Sequence, residues 1–99
     1  MAHAKSFIAT LRTKPEKRAE FIALQTEMKH LVKIHEPDVW VYEMLQSDED
    51  ENLFYCVATF RDEEAFEKHM HIYFHDRLVP PVIECLAADM ELRFFKSLL

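Results

Sequence analysis

The stretch that decides the fold is Leu53–Leu78, which reads LFYCVATFRDEEAFEKHMHIYFHDRL. Its first eight residues place apolar or aromatic side chains on both alternating faces, which predicts a strand covered on two sides. Asp62 then follows as a helix N-cap, and the two glutamates after it suit the positive end of a helix dipole. The helix carries His69 on its inward stripe. Because an apolar wall beside a titratable side chain is typical of small pockets, the same stretch also predicts a functional site.

The residues before this stretch predict two further strands and a long helix. Ser6–Arg12 alternates as the first strand, and the T-x-x-E pattern at 13–16 is a capping box that begins a helix running to about His35. A proline two residues later ends that helix. Val39–Gln46 alternates as the second strand. The acidic run at 47–52 predicts a solvated hairpin loop, since it lacks the spacing and the glycine of a calcium loop.

The residues after the stretch complete a single domain over 1–99. Phe74–Leu86 predicts a helical segment interrupted at Pro80-Pro81, and Asp89–Lys96 predicts the fourth strand. The resulting order, βαββαβ, is the ferredoxin-like α+β arrangement with an antiparallel four-stranded sheet. Helices would cover one face of this sheet. The other face would then pair with a second copy in a homodimer, which would also cover part of a generous supply of eight Phe, three Tyr and one Trp.

Charge and hydropathy exclude several classes of partner. The formal net charge is −6, from 18 acidic and 12 basic residues, and no Lys/Arg-rich stripe with interleaved aromatics occurs. Binding to nucleic acid is therefore not expected. No apolar run approaches the length of a membrane span, and the first ten residues lack a signal-peptide layout, so the predicted location is the cytoplasm with no membrane partner.

Two features of the composition restrict the cofactors that the chain could bind. One is the lack of glycine, and the other is the spacing of its two cysteines. The 99 residues contain no glycine, which excludes the glycine-rich loops that cradle nucleotide phosphates. Turns are expected to use Asp and Asn, which tolerate left-handed backbone. Cys56 and Cys85 form no CxxC pair, so free buried thiols are expected and a structural zinc site is not.

The histidines are the candidates for chemistry. His69 has a side chain whose ordinary pKa suits proton transfer near neutral pH, although a half-buried histidine satisfied by a neighbouring carbonyl fits the same pattern. His71 and His75 are four residues apart and could share a helix face as metal ligands do. No third ligand stands at an obvious position, so exposed histidines are favoured there and no metal site is predicted.

Beyond these local patterns, nearly the whole chain resembles the antibiotic-biosynthesis monooxygenase family of dimeric α+β barrels. The resemblance is carried by FIATLRTKPEKRAEFIAL at 7–24, VYEMLQSDEDENLFY at 41–55 and FRDEEAFEKHMHIYFHDRL at 60–78. It implies a pocket between the sheet and its helices, with His69 at the edge. By position, aromatic side chains that could line the pocket are Trp40, Tyr42, Phe54, Phe60, Phe66, Tyr73 and Phe74.

The resemblance implies a quinol-type monooxygenase that uses no cofactor. His69 would act as the base, Tyr42 or Tyr73 would orient the oxygen of a small hydrophobic or phenolic ligand, and Trp40 and the four phenylalanines would bind it. Two alternatives stay open, an isomerase in the same pocket and a non-enzymatic dimeric barrel that binds a small ligand. Ala58, where the family more often has an acidic residue, favours the second of these.

Overall fold

A computed structural model describes residues 3–98 as four strands and three α-helices. A short 3-10 helix at Pro15–Lys17 precedes the first α-helix. In chain order the elements are β1 (Lys5–Arg12), α1 (Arg18–His35), β2 (Val39–Gln46), β3 (Leu53–Phe60), α2 (Glu63–His71), α3 (Tyr73–Glu84) and β4 (Glu91–Lys96). The predicted α+β fold is confirmed.

The strands form one antiparallel sheet in the order β2-β3-β1-β4. The central pair aligns Ala9 with Cys56, and the register shifts once at the edge, between Val39 and Val41 in β2. Because side chains alternate along a strand, this register assigns each residue to one of two faces. The sheet has the order of a ferredoxin-like fold, as its βαββαβ sequence predicts.

The two faces of the sheet differ in burial. One of them, the covered face, lies under the helices and carries the buried side chains of β1 and β3, which are Phe7, Ala9, Leu11, Phe54, Cys56, Ala58 and Phe60. The opposite face, the open face, carries Ile8, Val41, Glu43, Leu45, Tyr55, Val57, Arg93 and Phe95. No element among residues 3–98 packs over the open face.

Two predictions about helix boundaries are wrong. Thr13 is not a cap, because its hydroxyl donates to Asn52 and its backbone bridges to Leu86, which places it in the core between the sheet and α3. The helix is also not interrupted at Pro80-Pro81, since α3 runs through both prolines. Burial of Leu78 and Val82 on either side holds the helix together there, although each proline removes a backbone donor.

The turns are built without positive φ angles at any described residue. In the hairpin between β2 and β3, the Ser47 hydroxyl accepts the amides of Glu49 and Asp50, and the Asp50 carboxylate accepts the amide of Asn52. At the start of α2, the Asp62 carboxylate accepts the amide of Ala65 at 2.9 Å, which confirms the predicted N-cap. Side-chain acceptors therefore replace left-handed backbone in a chain with no glycine.

Candidate functional site

A cavity of about 130 Å³ lies between the covered face and the helices. An engineered cavity of about 150 Å³ holds one benzene molecule, so this volume fits a single ring. Its lining is mostly apolar, and its polar side chains come from α1, β2, α2 and α3. The lining includes Gln25, Met28, Tyr42, Cys56, His69 and His75.

His69 is buried in the wall of this cavity and is paired with a carboxylate. Its side chain projects from the last turn of α2, the residue is 1% exposed, and its Nδ1 lies 2.9 Å from Oε2 of Glu36. Glu36 is equally enclosed at the C-cap of α1, where its amide donates to the carbonyl of Val32. A carboxylate on Nδ1 favours the tautomer that holds its proton there, which leaves Nε2 as a proton acceptor.

Glu36 is the functional residue that the sequence did not reveal. It stands 33 positions before His69, and no spacing rule links two such positions. The one available signal is an acidic residue directly before Pro37, at the end of an amphipathic helix. Glu36 places a carboxylate beside His69 from the end of α1, whereas Ala58, in β3, is buried beside Tyr42, which contacts the His69 ring.

Three aromatic rings surround the imidazole of His69. The ring of His75 meets it edge-on with centroids 4.8 Å apart, Phe60 lies at 5.3 Å and Tyr42 at 5.7 Å. Burial, and secondly the proximity of His69, lower the pKa of His75 below its ordinary 6.5. His75 is therefore held neutral near pH 7, in a half-buried position where the sequence predicted an exposed side chain.

Tyr42 and Cys56 are held in their protonated forms. Burial, with smaller contributions from Cys56 and Glu36, raises the pKa of Tyr42 well above 10.0. Burial also raises the pKa of Cys56 to about 11. A tyrosine that keeps its proton is a hydrogen-bond donor and not a base, and the Cys56 thiol is unreactive. Both cysteines are free and buried, as the sequence predicted.

Gln25 is a second polar residue in the lining that the sequence did not reveal. It lies on the inward face of α1, one turn before Met28, in a helix read as apolar on that side. Its Oε1 is buried and has no hydrogen-bond partner among residues 3–98. A glutamine within an amphipathic pattern normally indicates a surface position, so periodicity gave no signal for it.

The other predicted site residues lie away from the cavity lining. Tyr73 is 63% exposed and stacks near His35, and Trp40 is exposed at the irregularity in β2, beside a shallow groove with Lys29 and Lys33. The four predicted phenylalanines are buried. Phe54 pairs with Phe21, Phe60 touches the His69 ring, Phe66 packs in the core aromatic cluster, and Phe74 packs between α1 and α3.

The histidines and acidic residues do not assemble a metal site in the described part of the chain. Among residues 3–98, no three His, Cys, Asp or Glu side chains are arranged to hold a metal ion. His71 projects outward and lies 3.8 Å from Glu67. Over the same residues, no helix is both long and apolar enough to cross a membrane.

Comparison with known proteins identifies the family. The sequence profile described as antibiotic biosynthesis monooxygenase matches residues 6–72, which is more than half of the chain. The chain belongs to the antibiotic biosynthesis monooxygenase family. This confirms the resemblance read from the sequence, at the level of the family. No curated protein matches the chain.

Solved structures agree with this family fold. A protein of Caulobacter crescentus CB15, provisionally assigned to the same family, has a TM-score of 0.94 at 19% identity, over 99% of this chain and 92% of its own. A conserved protein of Methanosarcina mazei Go1 has a TM-score of 0.90 at 22% identity, over 97% and 94%. An antibiotic biosynthesis monooxygenase has a TM-score of 0.88 at 21% identity, over 96% and 99%. At these identities the likeness shows the fold alone.

Proposed function

We propose that this member of the antibiotic biosynthesis monooxygenase family is a cofactor-independent monooxygenase of small single-ring phenols or quinols. The observation that carries the proposal is His69, which lies in the wall of a cavity sized for one ring and is paired with the buried Glu36. The pair supplies a base, and the cavity supplies a dry apolar space. Membership of the family supports a monooxygenase-like role, the quinol-type substrate is what the family resemblance implies, and the cavity volume supports a single ring.

The proposed first step is proton transfer from the substrate hydroxyl to Nε2 of His69. The imidazolium that forms is stabilised by the Glu36 carboxylate on Nδ1, as in other carboxylate–histidine pairs. Tyr42 keeps its proton and can donate a hydrogen bond to the substrate oxygen, which holds the phenolate in place. His69 and Tyr42 line the cavity, and Glu36 acts on it only through His69.

The proposed second step is oxidation of the phenolate by molecular oxygen. The electron-rich ring reduces the oxygen molecule; one oxygen atom enters the ring and the other leaves as water. A quinol is thereby converted to a hydroxyquinone, with the substrate supplying all the electrons. The apolar lining favours this step because it excludes water from the charged intermediates.

Oxygen consumption by a panel of single-ring quinols tests the proposal. We expect His69→Ala to lower the rate of oxygen uptake about 100-fold or more, the usual contribution of a general base. Glu36→Gln should lower it less, because the amide still orients the ring but cannot stabilise an imidazolium. His71→Ala is the matched control, since His71 lies on the same helix and faces solvent.

The outcomes of this assay separate the three readings. Wild-type oxygen uptake that survives His69→Ala would remove His69 from the mechanism. Substrate turnover that continues without oxygen would support the isomerase. Binding of quinols with no turnover under either condition would support the ligand-binding barrel.

We also propose that the open face pairs with a second copy of this chain. One row across that face reads Glu43, Val57, Ile8 and Arg93, from the β2 edge to the β4 edge. The centre of the row is apolar, and opposite charges mark its ends. Arg93 has no ion-pair partner within residues 3–98, whereas Glu43 contacts Lys29 at 3.2 Å.

The row selects one orientation for the pair. If the twofold axis runs along the strands, the β2 edge of one copy faces the β4 edge of the other, so Glu43 meets the Arg93 of the second copy. If the axis runs across the strands, each charge meets its own equivalent, which is unfavourable. We therefore propose the first orientation, with the exposed Leu45 and Phe95 covered in the contact.

A further inference from the structure

The cavity of His69 reaches the protein surface between α3 and β4. Of its lining residues, Ile83 and Met90 are the most exposed, at 52% and 41%, and His75, Val79 and Leu92 are half-buried. A side chain that lines a cavity and also meets solvent lies where the cavity opens. We call this opening the slot. Its sides are His75, Val79 and Ile83 on α3, and Met90 and Leu92 at the start of β4.

The slot forms because α3 packs on α1 and leaves β4 partly uncovered. The buried stripe of α3 is Phe74, Leu78 and Val82, and its first two members share a core cluster with α1. The slot residues of α3 lie one position further along the chain, on the neighbouring stripe, which borders the cavity. Across from them, the covered face stays partly open along β4, where Phe94 is 49% exposed.

The slot is apolar and carries no fixed charge. Apart from His75, its sides are Val, Ile, Leu and Met side chains, and none of the described residues that line the cavity is Lys, Arg, Asp or Glu. A charged substituent would lose its hydration in the slot without gaining an ionic partner. An alkyl substituent would instead gain free energy from burial.

The slot extends away from His69 along α3. The His75 ring meets the His69 ring with centroids 4.8 Å apart, and Ile83 follows eight residues later on the same helix. At 1.5 Å per residue, this separation is about 12 Å along the helix axis. A ring whose hydroxyl meets His69 therefore has its opposite side toward Ile83.

A shallow hollow continues the slot at its Ile83 end. The hollow has a volume of about 370 Å³ and shares Ile83, Leu86 and Met90 with the cavity. The cavity itself, at about 130 Å³, is filled by a single ring. A substituent on the far side of that ring must therefore leave through the slot, and the hollow has room for it.

We propose that the substrate ring carries a short alkyl substituent across from the hydroxyl that meets His69, and that Ile83 and Met90 select for this substituent. The inference rests on the proposed binding site, but not on the oxidation. The alkyl chain lies in the slot against these two side chains and reaches the hollow. It also closes the slot against water, which protects the charged intermediates of the proposed oxidation.

Calorimetric binding of 4-methylphenol and 4-propylphenol tests the inference without turnover. The two ligands differ by two methylenes. We expect wild-type protein to bind 4-propylphenol about tenfold more tightly, or about threefold per methylene, since full burial of a methylene gives about fourfold and the slot is partly exposed. Ile83→Asp should lower the ratio to about two or less, because the carboxylate keeps water in the slot. Ile34→Asp is the matched control: Ile34 is 57% exposed on α1, outside the cavity lining, and its variant should keep the tenfold ratio.

Each outcome of the binding experiment bears on the inference. A ratio near one in wild-type protein, no binding of either phenol, or a tenfold ratio that survives Ile83→Asp would overturn it. If Ile83→Asp does not fold, Met90→Ser should lower the ratio in the same way, and an unchanged ratio there overturns the inference. A ratio near one together with a dimer that Ile83→Asp dissociates would assign the slot to a second copy of the chain instead.

Oxygen uptake separates this inference from the proposed function. Tighter binding of 4-propylphenol, with no oxygen uptake from any quinol, would leave the slot in its role and overturn the monooxygenase. Oxygen uptake from quinols, with equal binding of the two phenols, would overturn the role of the slot and leave the monooxygenase.

Discussion

The covered face and the open face are formed by the same four strands, yet they differ in burial and in the position of their polar groups. Phe60 on the covered face is fully buried, whereas Phe95 on the open face is 47% exposed. The covered face helps to enclose the cavity, whose lining includes His69, Tyr42 and Gln25. The open face keeps its charges at its two edges. Alternation along each strand separates the two, so one sheet can serve a pocket and a partner without conflict between them.

The largest expected difference between the faces is in unfolding. Phe60→Ala should lower the free energy of unfolding by about 3–5 kcal/mol, because it leaves a cavity in a closed core. Phe95→Ala should lower it by under about 1 kcal/mol in the dilute monomer, where the ring is already half in water. Urea denaturation at low protein concentration measures both. Equal losses would mean that the open face is covered even in the monomer.

Thiol reactivity gives the next largest contrast. Since burial raises the pKa of Cys56 from 9.0 to about 11, the reactive thiolate at pH 8 is about 100-fold rarer than for an ordinary thiol. We expect iodoacetamide to label Cys56 at least 100-fold more slowly than a thiol introduced by Glu91→Cys at the exposed edge of the open face. A Cys85→Ser background removes the other thiol. Comparable labelling rates would show that the covered face opens readily.

Charge reversal tests whether the open face pairs with a second copy of the chain. Glu43→Arg alone and Arg93→Glu alone should each raise the dissociation constant of the dimer about tenfold, or about 1.4 kcal/mol, by placing like charges together. The double variant should recover most of the loss, because the pair is restored in reverse. Sedimentation analysis over a concentration series measures the constants.

Two further results bear on that charge pair. Glu49→Arg, in the exposed hairpin loop, is the control for net charge and should leave the dissociation constant unchanged. A double variant no better than either single variant would rule out the proposed orientation.

The smallest expected effect is a pH dependence from the covered face. His75 has a lowered pKa in the folded chain, so below 6.5 the unfolded chain binds its proton more readily. The stability that comes from keeping His75 neutral in the folded chain is therefore complete above pH 6.5, and it is lost as the pH falls below this value. The groups around His75 are His69 and His71, which lower its pKa, and Glu36 and Asp76, which raise it.

Thermal unfolding between pH 7.5 and 5 measures this dependence. His75→Gln should flatten the fall in melting temperature, whereas His30→Gln, at an exposed position of α1, should leave it unchanged. A steeper fall in His75→Gln would show that the sign is wrong.

Local patterns in the sequence predicted much of the fold. The bounds of β2 and β3, the Asp62 cap and the βαββαβ order were all read correctly, because alternation and capping depend on residues within a few positions of each other. The sequence also indicated His69 as the candidate site histidine, because its place on the inward face of a helix is a local property. The family followed from these segments together.

Tertiary structure decided what depends on distant residues. Thr13 does not cap a helix, because its hydroxyl donates to Asn52 instead. The helix α3 continues through its prolines because packing outweighs their low helix propensity. Glu36 and Gln25 become parts of the site only when α1 lies across the sheet beside α2. The sequence by itself thus determined the strands, the fold and the histidine of the candidate site. Its carboxylate partner and its unpaired amide were set by packing, since a hydrogen bond across 33 residues leaves no trace in local periodicity.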